Sequence, residues 1–447
     1  MYMFEKWVDS HMDQQLEDIK NLIRIPSVSR GTPEDGKPLG KDVYDALEYA
    51  IALANRLGFE KTQNLDGYCA TVDYGEGDEL MMIQCHLDVV PAGSGWNSDP
   101  FDPVIHDGRL YGRGVVDDKG AAVSVLYAMA AIKDAGLSTK RRIRLFLGGD
   151  EECGWDCVNR YHRTEPDADI GFTPDADYPL VNSEMGICQS RYVRSVSGSS
   201  IRINCGTAAN VVPGEASATL SFKPVPCKVP EGYSAEFTDN EIRIKGSGGH
   251  AACNYLAKNA LLCLLDVLSN QPLSGDDLMI VSGLHAMLEY DCHGEGLGID
   301  TTDESGRLTL AADILKWDDS RIEFTMDCRH PFSISATEVL QRLDANMATI
   351  GFSREYEKIS DGIYSPADSE LVSTLLGIYE KHIGHKSEPL SIGGGTYARG
   401  FSNTVGFGIE PEGEVSECHM PNESMSLDNI RFNTIVFAEA IKALACK

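Results

Sequence analysis

ELMMIQCHLD (residues 79–88) and RRIRLFLGGDEE (residues 141–152) are the two stretches that decide the fold. Each is a run of strand-forming apolar residues that ends in imidazole or carboxylate side chains. Between them, apolar residues recur at helical spacing from Lys119 to Ala135, and the aspartates of GRGVVDDKG (112–120) stand where an N-cap belongs. Strand, helix and strand in this order predict an α/β fold, with helices on both faces of a mixed, mostly parallel sheet.

The pattern changes after residue 186, which predicts a second domain. Strands of period two, such as RIEFTMDCR (321–329), alternate with helical patterns such as NALLCLLDVLSN (259–270), as in an α+β domain with an antiparallel sheet. Helix-then-strand alternation returns near the C-terminus. We therefore predict a discontinuous first domain of residues 1–186 plus 363–447, interrupted by an inserted domain of residues 187–362.

Composition limits the partners and the cell compartment. The formal net charge is -29 over 447 residues, which argues against nucleic acid or an anionic membrane as a partner. No stretch reaches the apolar length of a membrane span, and the acidic N-terminal residues 1–20 lack the apolar core of a secretory signal. The 13 cysteines are odd in number and form no CxxC pair, so reduced thiols are expected. A soluble cytoplasmic protein is predicted.

Acidic and imidazole side chains gather where strand-like runs end. They are His86 and Asp88 after the first run, Asp117 before the helix, Glu151 and Glu152 after the second run, and later Asp175 in GFTPDAD and His419 in SECHMPNES. In open α/β sheets, functional groups collect outside the carboxyl ends of the strands. Carboxylates and imidazoles without a thiolate are the donors that a pair of hard-to-borderline divalent metal ions requires.

Taken singly, these residues have ordinary explanations. Asp117 would cap the following helix, Glu151 and Glu152 would form a solvated charge pair, and His419 would be an exposed loop residue. Their joint occurrence at strand ends favours a metal site. His86 and Asp88, two apart on an extended segment, point the same way, so the carboxylate is able to hold the second nitrogen of a metal-bound imidazole.

Several of these motifs together resemble those of the co-catalytic metallopeptidases of family M20. They are HLDVVPAG (86–93), GRGVVDDKG (112–120), the DEE triplet (150–152), FTPDADYP (172–179) and CHMPNES (418–424). The likeness runs over nearly the whole chain, and within the family the sequence is most similar to the PepV-type bacterial dipeptidases. The resemblance implies a catalytic domain that carries two divalent metal ions and an inserted lid domain.

The resemblance also implies a role for each motif residue. His86 and Asp175 bind one ion, Glu152 and His419 bind the other, and Asp117 bridges the two. Asp88 orients His86, and Glu151 is the general base. The peptide bond after Asp117 is implied to be cis.

Substrate contacts are implied in the inserted domain. His250 in KGSGGHAACN corresponds to a histidine that contacts the oxyanion, although by itself it reads as a structural histidine in a glycine-rich turn. Asn210 in ANVVPG corresponds to an asparagine near the site. Arg329 in MDCRHPFS corresponds to the arginine that binds the substrate carboxylate, with a surface salt bridge as the alternative. Gly393, Gly394 and Gly395 resemble a backbone cradle for the same carboxylate.

The expected activity follows from Asp175 and the inserted domain. In the family an aspartate at this position accompanies dipeptidases and aminopeptidases, which bind a free substrate amine, and a glutamate accompanies carboxypeptidases and deacylases. We therefore expect hydrolysis of dipeptides, β-alanyl dipeptides included, by a water that bridges two metal ions. The alternatives are an N-acyl amino acid deacylase, such as a succinyl-diaminopimelate desuccinylase, and a non-catalytic binding protein of the same fold. The large lid favours a monomer over a homodimer.

The metal and the cysteines near the site stay open at this level. The ligand set accepts zinc or manganese, and zinc is favoured. Cys85, Cys153 and Cys418 each adjoin a predicted site residue. Packing of small apolar side chains accounts for them more simply than thiol regulation does.

Overall fold

The computed structural model describes residues 3–29, 31–413 and 416–447. The helices in these residues are α1 (Glu5–Ile23), α2 (Lys41–Arg56), α3 (Lys119–Asp134), α4 (Asp156–Tyr161), α5 (Ala260–Ser269), α6 (Gly275–Leu288), α7 (Ala336–Thr349), α8 (Glu370–Ile383) and α9 (Leu427–Ala445). Short 3-10 helices lie at Ala251–Leu256, Glu295–Leu297 and Tyr397–Gly400.

The strands are numbered in chain order. They are β1 (Lys61–Leu65), β2 (Cys69–Tyr74), β3 (Leu80–His86), β4 (Val104–His106), β5 (Arg109–Tyr111), β6 (Arg142–Gly148), β7 (Ile170–Thr173), β8 (Val181–Glu184), β9 (Gly186–Ser195), β10 (Ile201–Cys205), β11 (Val211–Val212), β12 (Glu215–Leu220), β13 (Ser234–Phe237), β14 (Glu241–Lys245), β15 (Gly249–His250), β16 (Thr302–Asp303), β17 (Gly306–Arg307), β18 (Thr309–Trp317), β19 (Arg321–His330), β20 (Ser353–Ser360), β21 (Ile363–Tyr364), β22 (Leu390–Ile392), β23 (Thr404–Gly406) and β24 (Ser424–Ser426).

The chain divides into two compact units. The first comprises Met1–Asn182, Ser365–Leu390 and Gly395–Lys447, and the second comprises Ser183–Tyr364 and Ser391–Gly394. The division into functional domains that the sequence predicts, residues 1–186 plus 363–447 against residues 187–362, stays a prediction. Within the described residues, no helix combines the length and apolar character that crossing a membrane requires.

A mixed sheet forms the centre of the first unit, with the strand order β1-β2-β6-β3-β7-β23-β8. The four middle strands, β6, β3, β7 and β23, pair in parallel, and the outer pairs are antiparallel. The predicted α/β fold with a mixed sheet is confirmed, and its parallel part is confined to these middle strands. All residues of β3 are buried, as expected for a strand that is covered on both faces.

Helix α3 starts next to the predicted metal ligands and is buried along nearly its whole length. Every residue from Lys119 to Ile132 is buried, because α3 packs between the sheet and helices α1 and α9. Asp118 stands at the predicted N-cap, but its carboxylate makes no cap hydrogen bond and instead accepts the backbone N–H of His86 at 3.1 Å.

Two local expectations differ from the structure. Apolar residues at helical spacing predict a first helix at residues 12–24, whereas α1 begins earlier, at Glu5, because Phe4 and Val8 extend its buried face. Strand β1 was not predicted, because its sequence KTQNL is polar. In the structure, four of its five residues are not buried. Pairing with β2, rather than apolar content, makes this segment a strand.

The second unit contains an eight-stranded antiparallel sheet with the order β13-β14-β12-β10-β18-β19-β9-β20. Helices α5, α6 and α7 contribute apolar side chains to the core beside this sheet. The predicted α+β domain with antiparallel strands is thereby confirmed. In the β19–β9 pair, Asp327 lies opposite Gln189 and Arg329 lies opposite Ile187, which fixes the neighbours of the predicted substrate-binding arginine.

Candidate metal centre

The imidazole of His86 is fixed at the carboxyl end of β3. His86 is fully buried, and its Nδ1 lies 2.9 Å from the backbone oxygen of Asp88 and 3.4 Å from the Asp88 carboxylate. Nδ1 therefore carries the proton that is donated to this carbonyl, which leaves the lone pair of Nε2 facing the site. The main chain of Asp88, more closely than its side chain, orients the ring.

The Asp88 carboxylate holds the segment that carries the two glutamates. Its Oδ1 accepts the backbone N–H of Glu151 at 3.1 Å, and its Oδ2 accepts that of Glu152 at 3.2 Å. The Ser29 hydroxyl donates to the same Oδ2 at 2.6 Å. Asp88 therefore couples the end of β3 to the loop after β6, which the sequence pattern alone did not indicate.

Asp117 lies between two imidazoles. Its Oδ1 is 2.8 Å from His86 Nε2, and its Oδ2 is 2.8 Å from His419 Nε2. The peptide bond between Asp117 and Asp118 is cis, as the resemblance implies. Each carboxylate oxygen thus faces a different nitrogen, which is the arrangement that a carboxylate bridging two cations needs.

The remaining predicted ligands surround this carboxylate. Glu152 Oε1 lies 3.2 Å from His419 Nε2, and Asp175 Oδ2 lies 3.7 Å from His86 Nε2. One candidate ligand group contains His86, Asp117 and Glu152, and another contains His86, Glu151 and Asp175, with donor atoms within 4.8 Å of one another in each. The first unit therefore brings together all the residues predicted to bind the metals, together with the predicted base.

The donor set fits cations. His86 Nε2 and Asp117 Oδ1 are buried and 2.8 Å apart, yet neither has a hydrogen-bond partner. With the His86 proton on Nδ1, two acceptor atoms face each other, a contact that becomes favourable when a metal cation or a second imidazole proton lies between them. Imidazole nitrogens and carboxylate oxygens are ligands that zinc and manganese accept.

The electrostatics of the cluster also call for positive charge. Burial, followed by the negative charge of Asp117, raises the pKa of Asp175 to about 7. Burial likewise raises the pKa of Glu151 well above its usual range, and the neighbouring carboxylates add to this shift. The carboxylates of Asp117 and Glu152 accept hydrogen bonds from the imidazole of His419 and thereby raise its pKa to about 10. The protein thus concentrates more negative charge here than its own side chains neutralise.

Glu423 supports the Asp117 loop and was not singled out from the sequence. Its buried carboxylate accepts the backbone N–H groups of Gly114 at 3.1 Å, Val116 at 2.8 Å and Asp117 at 3.2 Å. Arg113 Nη1 donates to the same group at 2.6 Å. In the sequence, its position in the CHMPNES motif (418–424) is the only sign that this glutamate differs from an ordinary exposed loop residue.

The second unit contains the predicted substrate-binding arginine. Arg329 is buried, so the surface salt bridge considered from the sequence is excluded. Its Nε and Nη2 donate to the carboxylate of Asp327 at 2.7 and 3.0 Å, and its Nη1 donates to the Gly393 carbonyl at 2.9 Å. Gln189 Nε2 donates to Asp327 at 2.7 Å, so the carboxylate is itself held in place.

His250 lies in a short two-stranded ribbon of the second unit, and Asn210 directly precedes the other strand of this ribbon. Strand β15 ends at His250 and pairs with β11, and the Asn210 carbonyl accepts the backbone N–H of Ala251 at 2.9 Å. His250 Nδ1 accepts the backbone N–H of Ala252 at 3.1 Å, which places the ring proton on Nε2. Partial burial and the nearby charge of Arg329 lower the pKa of His250, which favours this neutral form.

The predicted glycine cradle is divided between the units. Gly393 and Gly394 belong to the second unit, and Gly395 belongs to the first. A side chain at position 393 would come within 2.8 Å of Ala252, so the close approach there requires glycine. The Gly393 carbonyl is already used by Arg329.

Comparison with known proteins agrees with these motifs. Residues 82–443 match peptidase family M20/M25/M40. The chain is 32% identical over 456 residues to the YtjP protein of Bacillus subtilis, covering 96% of this chain and 97% of the relative. It is 32% identical over 466 residues to a Beta-Ala-Xaa dipeptidase of Lactobacillus delbrueckii, covering 99% and 98%.

A solved structure gives the same result for the fold. The aminoacylhistidine dipeptidase from Vibrio alginolyticus superimposes with a TM-score of 0.62 at 14% identity, covering 97% of each chain. At this identity the likeness concerns the fold alone. The family match and the relatives at 32% identity go further, because they cover most of the sequence. The chain therefore belongs to peptidase family M20/M25/M40, as its motifs indicate.

Proposed function

We propose that this protein is a metal-dependent dipeptidase that hydrolyses dipeptides with a free N-terminus, β-alanyl dipeptides included. The observation that carries the proposal is Asp117, whose two oxygens lie 2.8 Å from two different imidazoles, as a residue shared by two cations requires. The dipeptide substrate is supported by the similarity to the Beta-Ala-Xaa dipeptidase over nearly the whole chain.

His86 and Asp175 would hold one divalent ion, and Glu152 and His419 would hold the other, with Asp117 between them. When bound, such ions lower the pKa of a water and polarise the scissile carbonyl. Glu151 is the proposed base, because its main chain is fixed by Asp88 and its carboxylate lies in the same group as His86 and Asp175. It takes a proton from the attacking water and returns it to the leaving amine.

Arg329 would bind the substrate's C-terminal carboxylate. A guanidinium has five N–H groups, of which Asp327 takes two and Gly393 takes one. One N–H on each terminal nitrogen remains, a pair that suits a carboxylate. The proton on His250 Nε2 would donate to the oxyanion, a charge that such donors stabilise in the transition state.

Residues 1–186 plus 363–447 would form the catalytic domain, and residues 187–362 would form the lid. His250, Asn210 and Arg329 would be the substrate contacts that the lid contributes. An enlarged lid would supply within one chain what a partner's lid supplies in dimers, and a monomer is therefore proposed over a homodimer.

The test starts from protein stripped of metal with a chelator. Zinc, manganese or cobalt is restored singly, and free dipeptides, β-alanyl dipeptides and N-acylated amino acids are assayed. Hydrolysis of free dipeptides that depends on added metal is the expected result. Activity on N-acylated substrates alone would make the protein a deacylase, and binding without turnover under every metal would make it a binding protein.

A further inference from the structure

Cys418 has a contact that the proposed mechanism does not use. It is partly buried, and its Sγ lies 2.9 Å from Asp117 Oδ2, the oxygen that also faces His419. Cys418, Asp117 and His419 form a candidate ligand group of their own, with donor atoms within 4.8 Å of one another. A sulfur donor therefore lies beside the proposed bridging carboxylate.

The backbone brings this sulfur and the next imidazole to the same oxygen. In an extended chain, neighbouring side chains point to opposite sides. His419 has a φ of 62°, in the left-handed region that residues other than glycine seldom adopt. With the chain turned there, Cys418 Sγ and His419 Nε2 lie 2.9 and 2.8 Å from the same Asp117 Oδ2. Such a conformation persists where the surroundings demand it, often at functional sites.

A second observation favours a cation at this carboxylate. The other oxygen of Asp117 and His86 Nε2 are buried, 2.8 Å apart and without hydrogen-bond partners. The ligand chemistry of Asp117 therefore does not depend on the cysteine. The position of Cys418 bears only on which side chains coordinate the ion that Glu152 and His419 are proposed to hold.

We propose that Cys418 is a ligand of the ion held by Glu152 and His419, and that its sulfur commits this position to zinc. The proposal rests on the two-metal function above. As the bond between sulfur and metal forms, the thiol proton leaves to solvent, so the ion receives a thiolate. Thiolate is a soft donor that suits zinc and cadmium, whereas manganese prefers oxygen ligands. The ligand set without the cysteine accepts either metal.

Cadmium is the probe for this sulfur, because a bond between cadmium and thiolate gives an ultraviolet charge-transfer band. Metal-free wild-type protein, Cys418→Ser and Cys153→Ser are titrated with Cd²⁺. Cys153 is the matched control, since it adjoins Glu152 as Cys418 adjoins His419 but belongs to none of the candidate ligand groups found among the described residues. We expect the band of one thiolate per chain to be absent only from Cys418→Ser.

Affinity for zinc is the second measurement. Competition with a chelator should show that Cys418→Ser binds zinc at least about tenfold more weakly, since changes merely beside a metal ligand already cost 10- to 100-fold. Manganese affinity should stay within about twofold, so the preference for zinc falls by nearly the same factor. Cys153→Ser should match the wild type for both metals.

X-ray absorption at the zinc edge of the wild-type protein makes the test independent of how the variants fold. One sulfur at about 2.3 Å from zinc is expected. Two bound ions and dipeptide hydrolysis without any sulfur signal would overturn the role of Cys418 and leave the thiol as a hydrogen-bond donor to Asp117. Failure to bind zinc or cadmium in stoichiometric amounts would overturn the two-metal function as well.

Discussion

Two buried carboxylate sites, one in each unit, differ in how their negative charge is compensated. In the first unit, Asp117 and Asp175 share a cluster in which His86 Nε2 and Asp117 Oδ1 stay unpartnered, so the protein does not neutralise its own negative charge. In the second unit, Asp327 receives two N–H groups from Arg329 and one from Gln189. One arrangement is electrostatically complete and the other is not.

The difference distinguishes a buried charge that stabilises the fold from buried charges that favour binding of a ligand. A buried ion pair whose hydrogen bonds are satisfied folds without any ligand, and its cost appears when one partner is removed. A cluster with excess negative charge instead favours binding of positive ions. We therefore expect bound metal ions to stabilise the first unit and the Asp327–Arg329 pair to stabilise the second.

The largest effect is expected at the adjacent glutamates of the first unit. Glu151→Gln should lower kcat by about 10²- to 10⁴-fold, the usual contribution of a general base, with metal content unchanged. Glu152→Gln should also lose activity, but in this variant the metal content should fall as well. Kinetics combined with metal analysis distinguish the two variants, and loss of metal from Glu151→Gln would show that it is a ligand rather than the base.

In the second unit, Asp327→Asn should destabilise the protein by about 3–5 kcal/mol, because it leaves the buried Arg329 charge without its partner. The double variant Asp327→Asn, Arg329→Gln should recover part of this loss, as urea denaturation would show. Where Asp327→Asn is folded, KM should rise for free dipeptides and not for dipeptide amides. Equal effects on both substrates would exclude a carboxylate-binding role for Arg329.

Metal removal should act on the first unit alone. Zinc at about 100 times its dissociation constant stabilises a protein that binds it by about 2.7 kcal/mol. Hydrogen exchange in the presence and absence of a chelator should therefore change at the Asp117 loop and leave strand β19 unaltered. Equal loss of protection in β19 would mean that the second unit also depends on the metal.

Asp313 offers a pH test within the second unit. It is buried, neither carboxylate oxygen has a hydrogen-bond partner, and burial followed by the charge of Asp327 raises its pKa to about 9. Because the folded state then keeps a proton that the unfolded state loses near pH 4, this group lowers the free energy of unfolding as pH rises from about 4 to 9.

Asp313→Asn removes that dependence. Relative to wild type, its free energy of unfolding should increase with pH by up to about 1.4 kcal/mol per pH unit in this window. Urea denaturation at pH 5, 7 and 8.5 measures the difference, with the exposed Asp239→Asn as the control. A difference that is independent of pH would show that Asp313 ionises normally in the folded protein.

Much of the metal centre was predictable because its residues stand at strand ends. His86, Asp117, Glu152, Asp175 and His419 were all singled out because they end apolar runs or follow them, and the family resemblance assigned a role to each. The supporting contacts were not predictable. Glu423 meets the Asp117 backbone across more than 300 residues of sequence, and no local pattern records such a contact.

By itself the sequence determined the element types, the two kinds of domain and the chemical class of the donors, because helix and strand periodicity and ligand preference are local properties. The tertiary structure decided which atoms meet. In the folded chain the Asp88 carboxylate accepts the backbone N–H groups of Glu151 and Glu152. The backbone conformation at His419 allows Cys418 to contact Asp117, and Asp327 pairs with Arg329. These contacts depend on loop conformation and on the packing of distant segments, which sequence spacing does not encode.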